Sequence, residues 1–350
     1  MLNKLSAIEE VLNKAVKERI FPGCSFAYIS GGNTEVVNVG NFTYEKDSEK
    51  VDDNTIYDIA SLTKVIAPMS IAMILIDEGK LDPNDLISKY LPEFSNTPEK
   101  EKAKIIHLLA YTLDYDVSGG SKSIVLEMSP QEIKKRVIEQ PIKYSPGELY
   151  MYSNLTAFLL SQIIEKIVGK SLEDIFHQKI SGPLDMKTST FSPDKKLTPP
   201  TEITKERGEV RGFVHDEFSN RLQSDNILTG AAGIFSTAED VGKFIKNILN
   251  KNKEDRIFSD KIISLWTKDH FPNLLPIHTP LCWGDFNNKF LDEYHREIVV
   301  KGGFTGCFMA IDLKNKKGFV LLSNRTYPKR PDNSSNFGKV KDYLMKVIFG

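Results

Sequence analysis

The 350 residues carry 46 Lys and Arg against 47 Asp and Glu, a formal net charge of −1. That balance excludes the basic face of a nucleic-acid binder and the polybasic patch of an electrostatic membrane binder. With 40% hydrophobic and 27% charged residues, 22 Gly and 17 Pro, the composition is globular, not disordered, collagen-like or disulfide-stapled.

The first 21 residues place Leu5, Ile8, Val11, Leu12 and Ala15 at helical spacing. Interspersed acids break any signal-peptide core, so the segment predicts an amphipathic helix and, for the chain as given, a cytoplasmic protein. Cys24–Ser30 and Thr34–Asn38, split by Gly31-Gly32-Asn33, predict a hairpin. Thr55–Ile59 is strand-like. Val65–Ile76 is a 12-residue apolar run, too short to span a bilayer, and predicts a buried helix. Pro68 predicts a kink in it. Thr97-Pro98 and the capping box Ser129-Pro130-Gln131-Glu132 predict helix starts. Leu155–Val168 predicts an amphipathic helix stopped by Gly169. Ser171 to Asp174 and Ser236 to Glu239 open two more. Glu297–Lys301, Cys307–Leu313 and Gly318–Ser323 are strand-like, and a helix over about Phe337–Ile348 closes the chain. Strands near both ends around a helical middle predict an α+β fold. Its antiparallel β-sheet is flanked by N- and C-terminal helices, with a mostly helical domain inserted.

Cys24, Cys282 and Cys307 are odd in number and form no C-x-x-C, which predicts buried thiols and no disulfide framework. The six histidines show no metal-ligand spacing, so no metal site is expected.

Three segments have residues suited to chemistry. Ser61-Leu62-Thr63-Lys64 heads the apolar helix, and positions i and i+3 share a helix face. Burial there would favour a neutral Lys amine able to take the Ser proton, and main-chain N–H groups at the helix start would face developing negative charge. The competing reading is a serine cap followed by a solvated lysine. A second S-x-x-K, Ser192 to Lys195, holds Pro193-Asp194 and predicts a turn. Tyr152-Ser153-Asn154 precedes the Leu155 helix. Tyr152 could pass protons over a pocket and Asn154 could bond a substrate amide and Lys64, or the pair could be a buried ring and an Asn cap. Lys301-Gly302-Gly303-Phe304-Thr305-Gly306 follows a strand, where glycines admit another backbone at a sheet edge and Lys301 could hold a carboxylate and tune Lys64. The alternative is a glycine-rich bulge.

Taken together and in this order, the three segments resemble the penicillin-recognising serine hydrolases. The Tyr-Ser-Asn form is similar to the branch of class C β-lactamases, D,D-carboxypeptidases and family VIII esterases. The resemblance extends over nearly the whole chain, through Tyr57 to Lys64, Glu78 to Asp82, Lys89 to Pro92, Tyr144 to Gly147, Gly182 to Met186, Val214 to Asp216, Gly233 to Ala238, Gly303 to Gly306 and Leu322 to Arg325. It implies a sheet domain of residues 1–80 and 200–350, a mostly helical domain of residues 81–199, and an active site in the cleft between them. It implies Ser61 as nucleophile, Lys64 as its base partner and Tyr152 as proton shuttle. Asn154, Lys301, Gly303 and Phe304 would bind substrate, with the N–H groups of Ser61 and Phe304 as oxyanion hole. No cofactor is implied.

This chain departs from that pattern at Gly302, which lacks the hydroxyl of the usual Lys-Thr-Gly, and at Leu113-Asp114 in place of Ser-Gly. There is no G-x-S-x-G. Gly169-Lys170-Ser171 mimics the end of a P-loop, but Ile164 stands where its first glycine belongs. His215-Asp216 reads as a loop contact near the cleft, and Asn324 and Arg325 as candidates for a substrate carboxylate. The expected function is acyl transfer to water from a small-molecule ester or amide, leaning to an esterase or amide hydrolase. The alternatives are a penicillin-binding D,D-peptidase or β-lactamase, and a non-catalytic scaffold on the same fold. The segments Thr112–Ser123 and Thr204–Asn226 are expected to shape the pocket.

Overall fold

The computed structural model describes residues 2–115, 128–250, 252–274, 279–283 and 298–350. Glu297 and most of Thr112–Ser123 lie outside them.

A five-stranded antiparallel sheet organises the fold. Its strands are β1 (Gly23–Ser30), β2 (Asn33–Gly40), β7 (Ile298–Gly303), β8 (Cys307–Asp312) and β9 (Lys317–Ser323), in the order β2-β1-β9-β8-β7. The predicted hairpin is present, with Gly23 opposite Gly40 and Ser30 opposite Asn33. β1 also pairs with β9, Cys24 opposite Ser323, so the chain's two ends meet in the middle of the sheet. Side chains alternate between faces. Phe26 and Phe319 stack on one face, where Phe349 of the Ser335–Phe349 helix joins them. On the other face Gly318 lies under Ile245 of the Ala238–Leu249 helix; a Cβ there would sit 2.6 Å from the Ile245 methyl. The first helix, Leu2–Lys17, packs on β2 and on the C-terminal helix. The α+β architecture is therefore as read from the sequence. Cys24, Cys282 and Cys307 are buried and unpaired.

Two short pairings complete the named strands: β3 (Tyr57–Asp58) with β6 (Phe235–Ser236), and β4 (Glu202–Thr204) with β5 (Gly208–Val210). The helical segments include Pro130–Glu139 and Asn154–Val168. Ser129 and Glu132 form the reciprocal capping box, and Gly169 ends its helix at φ +74°. The buried apolar side chains form one connected core from the sheet into these helices. No helix among the described residues is long and apolar enough to cross a membrane.

Several local expectations are corrected. Thr55–Ile59 forms only the two-residue β3. Thr97-Pro98 leads to no more than a 3-10 turn at Lys100–Lys102, because residues 98–104 carry no apolar stripe to bury. Thr237, not Ser236, caps the Ala238 helix, since Ser236 is held in β6. At Pro68, where a kink is expected, the helical run continues into Ser70–Asp77. The chain widens into a π-turn over Val65–Met69, and Ser70 donates from its hydroxyl to the Val65 carbonyl at 2.7 Å.

Candidate active site

The site begins with a tight turn. β3 ends at Asp58, whose carboxylate accepts the Ala60 N–H at 2.8 Å and the His215 N–H at 2.7 Å. Ala60 sits at φ +46°, a strained conformation for a residue with a Cβ. Ser61 follows and its hydroxyl makes no cap bond to the short Leu62–Lys64 helix. The cap reading therefore fails, and the oxygen is free for other partners. Three contacts lock the turn in place. Thr63 Oγ1 accepts the Ile234 N–H at 3.2 Å, Thr305 Oγ1 donates to the Asp58 carbonyl at 2.8 Å, and the Ile59 N–H donates to the Ile234 carbonyl at 3.1 Å.

Two side chains converge on Ser61 Oγ. The Tyr152 hydroxyl donates to it at 2.8 Å and Lys64 Nζ reaches it at 3.1 Å. Lys64 is fully buried and also donates to the Ala231 carbonyl at 2.7 Å. Burial moves its pKa down to about 8, with Asp216 pulling the other way, so the neutral amine is accessible near neutral pH. Burial raises the Tyr152 pKa, and Lys301 and the Ser61 bond offset part of that shift. Tyr152 is 39% exposed, with its hydroxyl held on Ser61 Oγ.

Asn154 is the first residue of its helix, and Ser153 supplies the cap. The Asn154 amide is thus free to donate to Asp216 Oδ2 at 3.1 Å. It makes no bond to Lys64, whose second partner is Ala231. Lys301, on the outer strand β7, is 2% exposed. It donates to the Tyr111 hydroxyl at 3.0 Å and the Cys282 carbonyl at 2.7 Å, and lies 4.9 Å from the Tyr152 ring centroid. It is thus buried beside Tyr152, away from solvent.

The two glycines after Lys301 differ. A Cβ on Gly303 would sit 2.8 Å from the Ile59 carbonyl, so this glycine lets β7 close on the nucleophile turn. A Cβ on Gly302 would meet nothing within 4 Å. Phe304 is 52% exposed, and its carbonyl accepts from Arg325 at 3.1 Å. Among the described residues, neither the Ser61 nor the Phe304 N–H has a protein acceptor. A cavity of about 230 Å³ opens over Ser61, lined by Tyr152, Asn154, His215, Asp216, Glu217, Phe304 and Arg330 among others.

Asp58, Tyr111, Asp216, Ala231, Glu217 and Arg330 were not assigned these roles from sequence. His215-Asp216 was placed near the cleft, and the V-H-D run was the available signal for it. Asn324 and Arg325 do not face a substrate. Asn324 is fully buried and donates to the Phe42 and Pro200 carbonyls, while Arg325 holds the Phe304 peptide.

An antiparallel sheet flanked by helices, with Ser, Lys and Tyr meeting on one oxygen beside its outer strand, defines a serine hydrolase of the β-lactamase/transpeptidase fold. The chain belongs to the beta-lactamase family, whose model matches residues 8–339. A Salmonella enteritidis PT4 (strain P125109) protein, provisionally named a D-alanyl-D-alanine carboxypeptidase, is 30% identical over 316 residues, covering 78% of this chain and 70% of that one. Among solved structures, EstCE1, a hydrolase with promiscuous acyltransferase activity, superposes with TM-score 0.80 at 16% identity, over 99% of this chain and 98% of that one. A class C beta-lactamase gives 0.79 at 16% identity, over 99% and 97%. The octameric penicillin-binding protein homologue from Pyrococcus abyssi gives 0.74 at 22%, over 98% and 77%.

Proposed function

We propose that this protein hydrolyses small esters or amides through an acyl-enzyme on Ser61. The carrying observation is the convergence of Lys64 Nζ and the Tyr152 hydroxyl on Ser61 Oγ, at 3.1 and 2.8 Å. Neutral Lys64 takes the Ser61 proton as Oγ attacks the carbonyl carbon. The oxyanion forms between the N–H groups of Ser61 and Phe304. Tyr152 gives its proton to the departing alcohol or amine, and the Lys64 ammonium, which meets Tyr152 at the same Ser61 oxygen, returns one to the tyrosinate. Water then attacks the acyl carbon and loses its proton to Lys64, which passes that proton to Ser61 Oγ as the acid departs, restoring both groups. Asn154 orients the acyl group and Lys301 keeps the Tyr152 oxygen acidic enough to relay.

The same reading divides the chain into a sheet part, residues 1–80 and 200–350, and a helical part, residues 81–199. Ser61 and Phe304 come from the first, Tyr152 and Asn154 from the second, which supports a site between the two. The test is turnover of a chromogenic short-chain ester and a chromogenic cephalosporin by wild type and Ser61→Ala. Ester hydrolysis lost in Ser61→Ala is the expected result; an unchanged rate removes Ser61 from the role. Fast cephalosporin turnover without esterase activity favours the β-lactamase reading, which the fold neighbours keep open. A stable penicillin adduct on Ser61 favours a D,D-peptidase. Failure of Ser61 to take a fluorophosphonate or β-lactam label favours the scaffold reading.

A further inference from the structure

The wall of the cavity opposite Lys64 has an uneven charge pattern. Arg330 lines it but is neutralised on both sides: its guanidinium lies 2.6 Å from Glu217 and 2.9 Å from Glu202, and stacks over the Phe304 ring at 5.3 Å. Arg207 closes the same network on Glu202 at 3.5 Å and Glu217 at 3.9 Å. These two arginines and two glutamates cancel. His215 lies 3.8 Å from Glu202, but burial and the nearby arginines hold its pKa down to about 3, so it adds no charge. Lys64 is beneath Ser61 and Lys301 is behind Tyr152.

Asp216 is different. Its Oδ1 accepts the Ser219 N–H at 2.8 Å and its Oδ2 accepts from Asn154 at 3.1 Å, both neutral donors. It makes no ion pair among the described residues, yet it lines the cavity over the nucleophile. Each carboxylate oxygen keeps a lone pair for a further donor. Its field is felt by the neighbouring groups, since it raises the pKa of both Lys64 and Tyr152. Meanwhile the features that would receive a substrate carboxylate are absent from the described wall. Gly302 has no hydroxyl, Arg325 is turned to Phe304, and Arg330 is paired.

We propose that the cavity selects small ester or amide substrates bearing a cationic amino group next to the scissile carbonyl, with Asp216 as the specificity residue that pairs with the ammonium. The proposal rests on the acyl-hydrolase reading and names its substrate class. A volume of about 230 Å³ suits a small amino-acyl group, and an ammonium there would replace water with a charge-assisted bond in a partly enclosed site.

The experiment compares kcat/KM for alanine p-nitroanilide, its N-acetyl derivative and its N-succinyl derivative, in both enantiomers, by wild type and Asp216→Asn. In wild type the free amine is expected to be preferred by at least about 10-fold over either derivative, the factor that one partly desolvated charge pair supplies. In Asp216→Asn the ratio of free amine to N-acetyl should fall to about one. Because the ratio is taken within each protein, an overall loss of activity does not obscure it. Equal use of all three substrates, a preference for the succinyl carboxylate, or an unchanged ratio in Asp216→Asn overturns the proposal. Calorimetric binding of alaninamide and N-acetylalaninamide to Ser61→Ala, with and without Asp216→Asn, reads recognition without catalysis. Amine-selective binding that needs Asp216, in a protein whose anilide turnover survives Ser61→Ala, would uphold this inference while the acyl-enzyme reading fails. Binding that does not distinguish the two amides rejects the inference alone.

Discussion

The Asp58 carboxylate holds the His215 main-chain N–H at 2.7 Å, and its other oxygen holds the Ala60 N–H at 2.8 Å. One buried side chain thus ties the nucleophile turn to the loop that presents Asp216, 157 residues apart in sequence. Burial raises the Asp58 pKa to about 6, so the group is mostly ionised at neutral pH and its two bonds are charge-assisted.

Asp58→Asn keeps an acceptor for one of these N–H groups and turns an amide donor toward the other. The expected loss is roughly 2 kcal/mol of stability, the scale of a hydrogen bond to a buried charged group. Turnover should fall as well, because Ser61 and Asp216 lose their common anchor. Urea midpoints and ester kcat on the same preparation check both, and a variant with wild-type stability would refute the tie.

The Lys64 amine must be neutral to accept the Ser61 proton, and burial lowers its pKa to about 8. The acylation rate should therefore rise with pH through about 8. Lys64→Arg stays charged, so its rate should drop by roughly 10²–10⁴-fold and lose the ascending limb. Pre-steady-state release of the chromogenic leaving group across pH 6 to 10 measures this.

Acid should destabilise the fold in a defined window. Burial holds His215 at about 3 and His107 at about 4, against 6.5 for the free side chain. Their contribution is complete above pH 6.5 and is lost as pH falls toward those values, because the unfolded chain takes up protons first. Asp58 works the other way: it gains a proton in the folded state below pH 6. Two histidines outweigh one carboxyl, and the net loss from pH 7 to 5 is on the order of 2 kcal/mol. Denaturant unfolding at the two pH values tests the sign; a protein more stable at pH 5 contradicts it.

Gly230 stands at φ +63°, and a Cβ there would lie 2.1 Å from Ser161 Oγ and 2.9 Å from Pro68 Cγ. Gly230→Ala should cost about 2 kcal/mol through strain and overpacking. It should also displace the neighbouring Ala231 carbonyl from Lys64 and slow acylation. Thermal unfolding and the pre-steady-state burst report the two effects separately.

The three catalytic candidates were legible because a short motif on one helix, Ser61 with Lys64, and a turn before another, Tyr152, have strong local signatures. The hairpin, the terminal helices and the Ser129–Glu132 capping box were legible for the same reason, since period and cap chemistry are local. What stayed hidden depends on distant chain segments. Ala231 reaches Lys64 with a carbonyl that every residue type has. The position of Lys301 behind Tyr152 depends on Tyr111 and Cys282, 190 and 19 residues away. Asn154 looked like a cap because Asn favours that position, but Ser153 beside it fills the role. Pro68 signals a local disturbance of its helix, and a π-turn stands there, with the Ser70 hydroxyl on the Val65 carbonyl.

Gly302 and Gly303 are neighbours under opposite constraints. Position 303 is closed to any side chain by the Ile59 carbonyl, whereas position 302 faces open space without a left-handed backbone. The fold therefore compels one glycine and merely tolerates the other. A side chain at 302 would meet no steric obstacle, so the strand leaves that one position open to single-residue change on an unaltered scaffold.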